Sequence, residues 1–297
     1  MDTKMVNYLL LSIYLAFVCA GECFAAIKED SAPQSAASFQ QLYPLPYNGI
    51  KGWQAPWQNG NDFDNHVLIK FVSSKYDQRG PTPYPKNESA WPGVGIIRIF
   101  DWMAWNRQYF WSQRLANQGA VVFIGDSLIA GWPTLKDDFA PLHVANVGIG
   151  GDVSRGVLFR LQEDVIDLTP KAVVILIGTN DLSANEDLSL LISNLMSILK
   201  LLRNYNQSLP IVLCNLPPRD SETYPISNMV LALNSRLGSL SILDSKLVVL
   251  DLYRLLASPD GSVDPQNLEA DKLHISPAGY RKFHDALIQV FRTLQVQ

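Results

Sequence analysis

The tripeptide Gly125-Asp126-Ser127 follows four apolar residues, Val121 to Ile124, without a break, and an apolar pattern resumes directly behind it. A β-branched run meeting turn-forming residues reads as a strand that stops at a sheet edge, with a helix beginning just beyond. Ser127 would stand at that joint. A serine hydroxyl attacks a carbonyl only when a base removes its proton, and that base must itself be held by a third group. His274 lies three residues after Asp271 in "DKLH", close enough on one turn for the carboxylate to orient the imidazole. Ser127, Asp271 and His274 would then supply a nucleophile, an orienting carboxylate and a general base that later acts as acid. Acyl transfer also needs donors aimed at the developing oxyanion. The backbone N–H of Ser127, the backbone N–H of Gly151 in "GIGGD" and the side-chain amide of Asn180 in "GTND" are the candidates.

Each cluster alone also has a purely structural reading. Gly-Asp-Ser and Gly-Thr-Asn-Asp are turn sequences, Asp181 could cap the helix that follows it, Asp152 or Ser154 could cap another, and Asp271 with His274 could be a surface ion pair. What joins the clusters is the pattern of elements from about residue 119 onward. Five short apolar runs, VVFIG (121–125), HVANVG (143–148), AVVILIG (172–178), PIVLCNL (210–216) and KLVVLDL (246–252), alternate with segments of helical period at 153–163, 187–204, 226–243 and from Pro277 to about Leu294. Continuous apolar strands separated by helices predict an α/β fold of three layers, α/β/α, around a five-stranded parallel, flavodoxin-like sheet. In such sheets ligands bind beyond the carboxyl ends of the strands. Ser127 follows the first strand, "GIGGD" the second and "GTND" the third, while "DKLH" lies between the fifth strand and the last helix, so the four clusters would gather on one rim.

At these residues the chain resembles the SGNH, or GDSL-type, hydrolases, whose four blocks match Ser127 in "GDS", Gly151 in "GIGGD", Asn180 in "GTND" and His274 in "DKLH", in order and at similar spacing. Within that family it is most similar to catalytic subunits of the platelet-activating-factor acetylhydrolase type, through "FIGDSLIAGW", "PLHVANVGIGGDVSRGVLFRL", "PKAVVILIGTND" and "DKLHISPAGY". The resemblance covers about 119–297. It implies an esterase with Ser127 as nucleophile, Asp271 and His274 completing the triad, and Ser127, Gly151 and Asn180 lining the oxyanion hole. It also implies an acyl pocket narrowed to acetyl size by Leu128, Thr179 and Leu273. The expectation is a secreted serine esterase that removes short acyl groups, acetyl foremost, from a carbohydrate or similar alcohol through an acyl-enzyme. A lipid-directed acetylhydrolase or lysophospholipase is the alternative within enzymes, and a non-catalytic carbohydrate-binding protein on a hydrolase scaffold is the alternative outside them.

The rest of the chain sets bounds. With 297 residues, 47% apolar and 18% charged, it can bury a proper core, and a net charge of −4 leaves no basic footprint for a nucleic-acid partner. Residues 1–25 place Lys4 before the apolar stretch Tyr8–Ala20, followed by small residues that allow cleavage after Ala20 or Ala25. They read as a signal peptide, too short for the roughly 20 residues that span a bilayer, which predicts a secreted or periplasmic protein with no stable membrane insertion after cleavage. Because Asp2 weakens the basic start, an amphiphilic N-terminal helix or uncleaved anchor is the other reading. Residues 26–118 hold six of the seven tryptophans and read as a loop-rich aromatic extension packing on the core, with a helix from Asp101 to about Leu115. Its aromatic stripe is read as core packing, with a sugar-stacking platform as the alternative, and the same pair of readings holds for Trp132. Cys214 reads as a buried strand residue. His66, His143, His274 and His284 stand far apart, so no metal and no cofactor is expected. The partner expected is a small-molecule or polysaccharide ester, with a homodimer possible.

Overall fold

Strands that are apolar on both faces have to be covered on both, and the covering helices dictate the order in which the strands can pair. In a computed structural model, which describes residues 80–220, 227–240 and 244–296, five strands do this: β1 (Val121–Gly125), β2 (Val144–Gly148), β3 (Ala172–Leu176), β4 (Ile211–Cys214) and β5 (Leu247–Leu250). They pair in parallel in the order β2-β1-β3-β4-β5. This is the five-stranded parallel sheet expected of the SGNH hydrolase fold. All described residues belong to one compact unit, Leu45–Gln297. The signal-like start and the extension's Trp53 and Trp57 lie outside the described residues.

The helices are α1 (Asp101–Gln113), α2 (Ser127–Ala130), α3 (Leu135–Asp138), α4 (Ser154–Asp164), α5 (Thr179–Ser183), α6 (Leu188–Tyr205), α7 (Ser227–Gly238), α8 (Leu252–Leu256) and α9 (Pro277–Leu294). Travel along the sheet reverses after β2, so right-handed crossovers put α2 and α3 on one face and α4, α6 and α7 on the other. The last helix, α9, joins the first group: Tyr280 stacks on Trp132 at 4.8 Å, and Phe283 and Phe291 pack on Trp132 and Phe139. Trp132 is only 2% exposed and donates to Asp138 Oδ2 at 2.7 Å, which settles its two readings in favour of packing. Cys214 is buried in β4, and burial pushes its thiol far up. No described helix is long and apolar enough to cross a membrane.

The ends of the strands differ from the sequence reading for a physical reason. Ile177 and Gly178 leave the third strand's ladder because Gly178, at φ 123°, turns the chain into α5. The helix expected over 226–243 ends at Gly238, with 241–243 outside the described residues, and that expected from Asp101 stops at Gln113.

Residues 80–100 form a strap whose only regular element is a single 3₁₀ turn, Glu88–Ala90. Apart from one β-bridge residue, Arg98, the strap takes partners for its backbone groups from side chains. Arg155 donates to the carbonyls of Pro92 (2.9 Å) and Gly95 (2.7 Å), and Asn194 exchanges hydrogen bonds with both backbone groups of Val94 (3.0 and 2.8 Å). Glu186 accepts from the N–H of Ile96, and Glu163 accepts from that of Thr82. Trp91 and Ile97 then pack with Phe159 of α4. Within α1, Met103, Phe110 and Trp111 are buried whereas Trp102 and Trp105 are 45% and 73% exposed, so the aromatic stripe is only half core.

One buried cation ties the strand ends together. Arg160 of α4 is fully buried and donates to the carbonyls of Val147 (2.7 Å) and Gly125 (3.1 Å), while Asp152 (2.8 Å) and Asp164 (3.2 Å) balance its charge. Replacing one member of a buried ionic set strands its partners, at a cost of about 3–5 kcal/mol. Arg160→Met is therefore expected to lose about that much in denaturant titration; an unchanged midpoint would show that the network does not hold the strand ends.

Candidate active site

Ser127 sits where the sequence places it, at the first position of α2, directly after β1. The turn is tight because Gly125 ends its strand against Leu176, whose carbonyl oxygen a β-carbon at position 125 would overlap. Asp126 caps α2 by accepting the N–H of Leu128 at 2.9 Å, and Asn146 of β2 donates to the carbonyl of Ile129 at 2.8 Å. Tyr280 of α9 donates to the carbonyl of Leu128 at 3.0 Å. The helix that carries Ser127 is thus pinned from three sides.

His274 and Asp271 approach from the loop before α9. His274 Nε2 lies 3.0 Å from Ser127 Oγ, and His274 Nδ1 lies 2.5 Å from Asp271 Oδ2. The other carboxylate oxygen of Asp271 accepts the N–H groups of Leu273 and His274, both at 3.0 Å. The loop closes on itself through Glu269 N–H to the His274 carbonyl at 2.7 Å, with Lys272 in the left-handed region at φ 55°. Partial burial opposes the charge of Asp271, yet the His274 ring and the two N–H groups outweigh it and hold its carboxyl below the usual range. The His274 and Asp271 side chains are 41% and 51% exposed, so this is an open rim within reach of a large substrate.

The two loops expected to supply oxyanion donors stand beside Ser127. A β-carbon at Gly150 would lie 3.9 Å from that of Ser127. Gly151 turns at φ 83° with the Phe100 ring so close (2.9 Å) that any side chain would collide, and its N–H meets no acceptor among the described residues. Asn180 donates from Nδ2 to the carbonyl of Asp152 at 2.9 Å, while its Oδ1 accepts from Arg98 at 3.1 Å. Of the acyl-pocket candidates, Leu128 is fully buried, Leu273 is half-buried, and Thr179 is fixed by Arg219 Nη1, which donates to its hydroxyl at 2.8 Å and its carbonyl at 3.0 Å. A cavity of about 780 Å³ lies behind the Asp271 loop, lined by Arg219, Tyr253, Leu268, Glu269 and Lys272 but by none of Ser127, Asp271 or His274.

Two capping assignments change. Neither Asp152 nor Ser154 caps α4, and Asp181 does not cap the helix after it; instead Asp181 reaches across to accept the Ser154 N–H at 3.1 Å and hydroxyl at 2.6 Å, starting α4 from outside. Residues that the sequence did not connect with the oxyanion loops also border the site. Arg98 and Trp102 belong to the strap and α1, and Trp102 Nε1 donates to the Gly150 carbonyl at 2.9 Å. No spacing rule links them to loops about 50 and 80 residues away; an arginine and a tryptophan flanking Phe100 just before a helix were the only local sign.

Residues 123–282 match the sequence model of the GDSL-like Lipase/Acylhydrolase family. The chain is 27% identical over 179 residues to the platelet-activating factor acetylhydrolase IB subunit alpha2 of Rattus norvegicus (57% of this chain, 76% of that subunit). It is 29% identical over 185 residues to the alpha1 subunit of the same species (60% and 78%). Among solved structures it resembles a Bacteroides fragilis protein described as an acylhydrolase, with a TM-score of 0.58 and 26% identity over 66% of this chain and 100% of the other. A GDSL-like lipase of Bacteroides thetaiotaomicron shares the fold at a TM-score of 0.54 and 24% identity, over 62% of this chain and 97% of its own.

Beneath the site lies a fully buried acid, Asp126. Burial foremost, then Asp152 and Asp181 nearby, push Asp126 up to about 7 against the Leu128 N–H and Arg219. Its Oδ2 has no hydrogen-bond partner among the described residues. An unfolded aspartate titrates near 3.9, so the folded form binds more protons between about pH 4 and pH 7, and stability present below that window is lost as pH rises through about 7. Asp181 and Glu186, raised by burial to about 6 and about 8, act in the same direction. Asn at 126 keeps the acceptor for Leu128 and never ionises. Asp126→Asn is expected to melt with a shallower decline than the parent between pH 4 and 8, and parallel curves from calorimetry would show that Asp126 is already ionised in the fold.

Proposed function

Because the chain belongs to the GDSL-like lipase/acylhydrolase family and is a carboxylic ester hydrolase, we propose that it is a secreted serine esterase removing short acyl groups, acetyl foremost, from a carbohydrate or similar alcohol. The observation that carries the mechanism is the continuous relay from Ser127 Oγ to His274 Nε2 (3.0 Å) and from His274 Nδ1 to Asp271 (2.5 Å). In this reading Ser127 Oγ bonds to the ester carbonyl carbon as His274 Nε2 takes its proton, with Asp271 holding the ring and balancing the imidazolium. The carbonyl electrons move onto an oxyanion met by the N–H groups of Ser127 and Gly151 and the amide of Asn180. As the C–O bond to the alcohol breaks, His274 returns the proton to the leaving oxygen. Water, deprotonated by the same ring, then releases the acid and restores Ser127.

A short acyl group is supported by Leu128 and Thr179, since one is fixed in the core and the other held by Arg219, leaving neither free to withdraw. A carbohydrate is supported by Trp102, which stays 45% exposed beside Gly150, and by Trp105, 73% exposed about one turn further along α1, because exposed flat rings offer stacking area to a sugar. The secretory part rests on residues 1–25. The relatives favour a second reading, a lipid ester of the kind named by platelet-activating factor acetylhydrolase, with the same acyl group.

Ser127→Ala is expected to abolish hydrolysis of p-nitrophenyl acetate, a loss on the order of 10⁵-fold or more; a variant as fast as its parent would sink the mechanism. Rates should fall steeply for acyl chains beyond about four carbons. Acetate release from acetylated polysaccharides, peptidoglycan and ether phospholipids separates the two alcohol classes. Trp105→Ala should raise KM on the polysaccharide alone.

A further inference from the structure

An amide donates a stronger hydrogen bond when its own carbonyl oxygen already accepts one, because the two ends polarise each other through the conjugated C–N bond. Both amides assigned above to the oxyanion have that arrangement. The N–H of Gly151 and the carbonyl of Gly150 are opposite ends of a single peptide unit, and that carbonyl accepts from Trp102 Nε1 at 2.9 Å. The side-chain amide of Asn180 is built the same way, with Oδ1 accepting from the buried guanidinium of Arg98 at 3.1 Å. The carbonyl of Asp152 takes one of the two Nδ2 hydrogens, so the donor below and the acceptor beside it fix which way the amide faces.

The two donors come from one short segment shaped for the task. Arg98 and Phe100 lie two apart on the strap, and Ile99 between them turns to the cluster of Trp91, Ile97 and Phe159. Phe100 abuts Gly151 and stacks under the Trp102 ring at 4.4 Å and 9°, which holds the indole N–H on Gly150. Arg98 lies 5.8 Å over the Phe100 ring and also reaches the Gly151 carbonyl at 3.5 Å.

We propose that Arg98 and Trp102 are positioning residues for the reaction: they back the two oxyanion donors from behind, so that residues 98–102 complete the active site. The proposal rests on the oxyanion assignment made above. It explains why the strap is clamped by so many buried polar side chains, since a shift of the segment would misalign both amides.

The test uses the full chain and steady-state kinetics on p-nitrophenyl acetate. Trp102→Phe keeps the ring on Phe100 and deletes only the N–H, and Arg98→Met removes the charge while keeping the stem. Losing an oxyanion donor outright costs about 100- to 1,000-fold, and losing its backing should cost less, on the order of 10-fold in kcat with KM within about twofold. Arg98→Lys, which keeps a donor, should recover part of the loss. In an Asn180→Ala background, Arg98→Met should cost nothing more, whereas Trp102→Phe, acting through Gly151, should cost its full amount. Equal losses from Arg98→Met with and without Asn180, or unchanged kcat in both single variants, would overturn the proposal. Retained activity in Ser127→Ala would instead remove the reading on which it stands.

Discussion

A guanidinium without access to water occupies the point where β1 and β2 end, and the neighbourhood of Ser127 follows from it. The carbonyls that close the two strands, on Gly125 and Val147, accept from Arg160, and that of Gly125 also accepts the Ile149 N–H at 3.0 Å. The cation needs counter-charges at the same depth, which Asp152 and Asp164 supply. Asp152 in turn belongs to the "GIGGD" loop, and its carbonyl accepts from Asn180. The end of β1 under Ser127, the loop after β2 and the amide after β3 are therefore linked through one buried side chain and its partners. The same network runs outward, since Arg107 of α1 binds Glu163 and lies 3.6 Å from Asp164.

That outward link changes the standing of the aromatic extension. Its described part is not a layer applied to a finished domain. Arg155, Glu163, Glu186 and Asn194, all buried on the α4–α6 side, spend their hydrogen bonds on the strap's backbone. Burying such groups without partners would cost several kcal/mol each in lost solvation, on the order of 1–3 for a neutral group and more for a charged one. The strap and the helices that hold it are thus parts of one folding unit.

The site combines a rigid floor with an open rim. Asp126, Asp152 and Asp181 lie side by side below it, each raised first by burial, and their mutual repulsion is relieved by Arg160, Arg219 and the groups of Ser154. Above them His274 and Asp271 are partly in water, held by a loop that closes through its own backbone. The floor is closed to solvent, and the rim is open to it.

Much of this was readable from local pattern. Five short, mainly apolar runs set a parallel sheet, the glycines and turn residues behind three of them set the loops, and Asp271 sits a turn away from His274 by spacing alone, because each of these is a statement about neighbours in the chain. Single residues whose role lies in another element were not readable. Asp181 read as a cap for the helix that follows it and instead accepts from Ser154 at the start of α4; Trp132 allowed a sugar or a core and went to the core once α9 packed over it. Arg98 gave no sign of its role and Trp102 none beyond its place in the aromatic stripe, because the atoms they hold belong to residues 48 to 82 positions away. Periodicity and turn chemistry thus determined which segments become strands, helices and loops, since those depend on backbone sterics and burial within a few residues. Which buried charge finds which carbonyl was decided only by the tertiary structure, because a desolvated polar group takes whatever partner folding brings within hydrogen-bond reach.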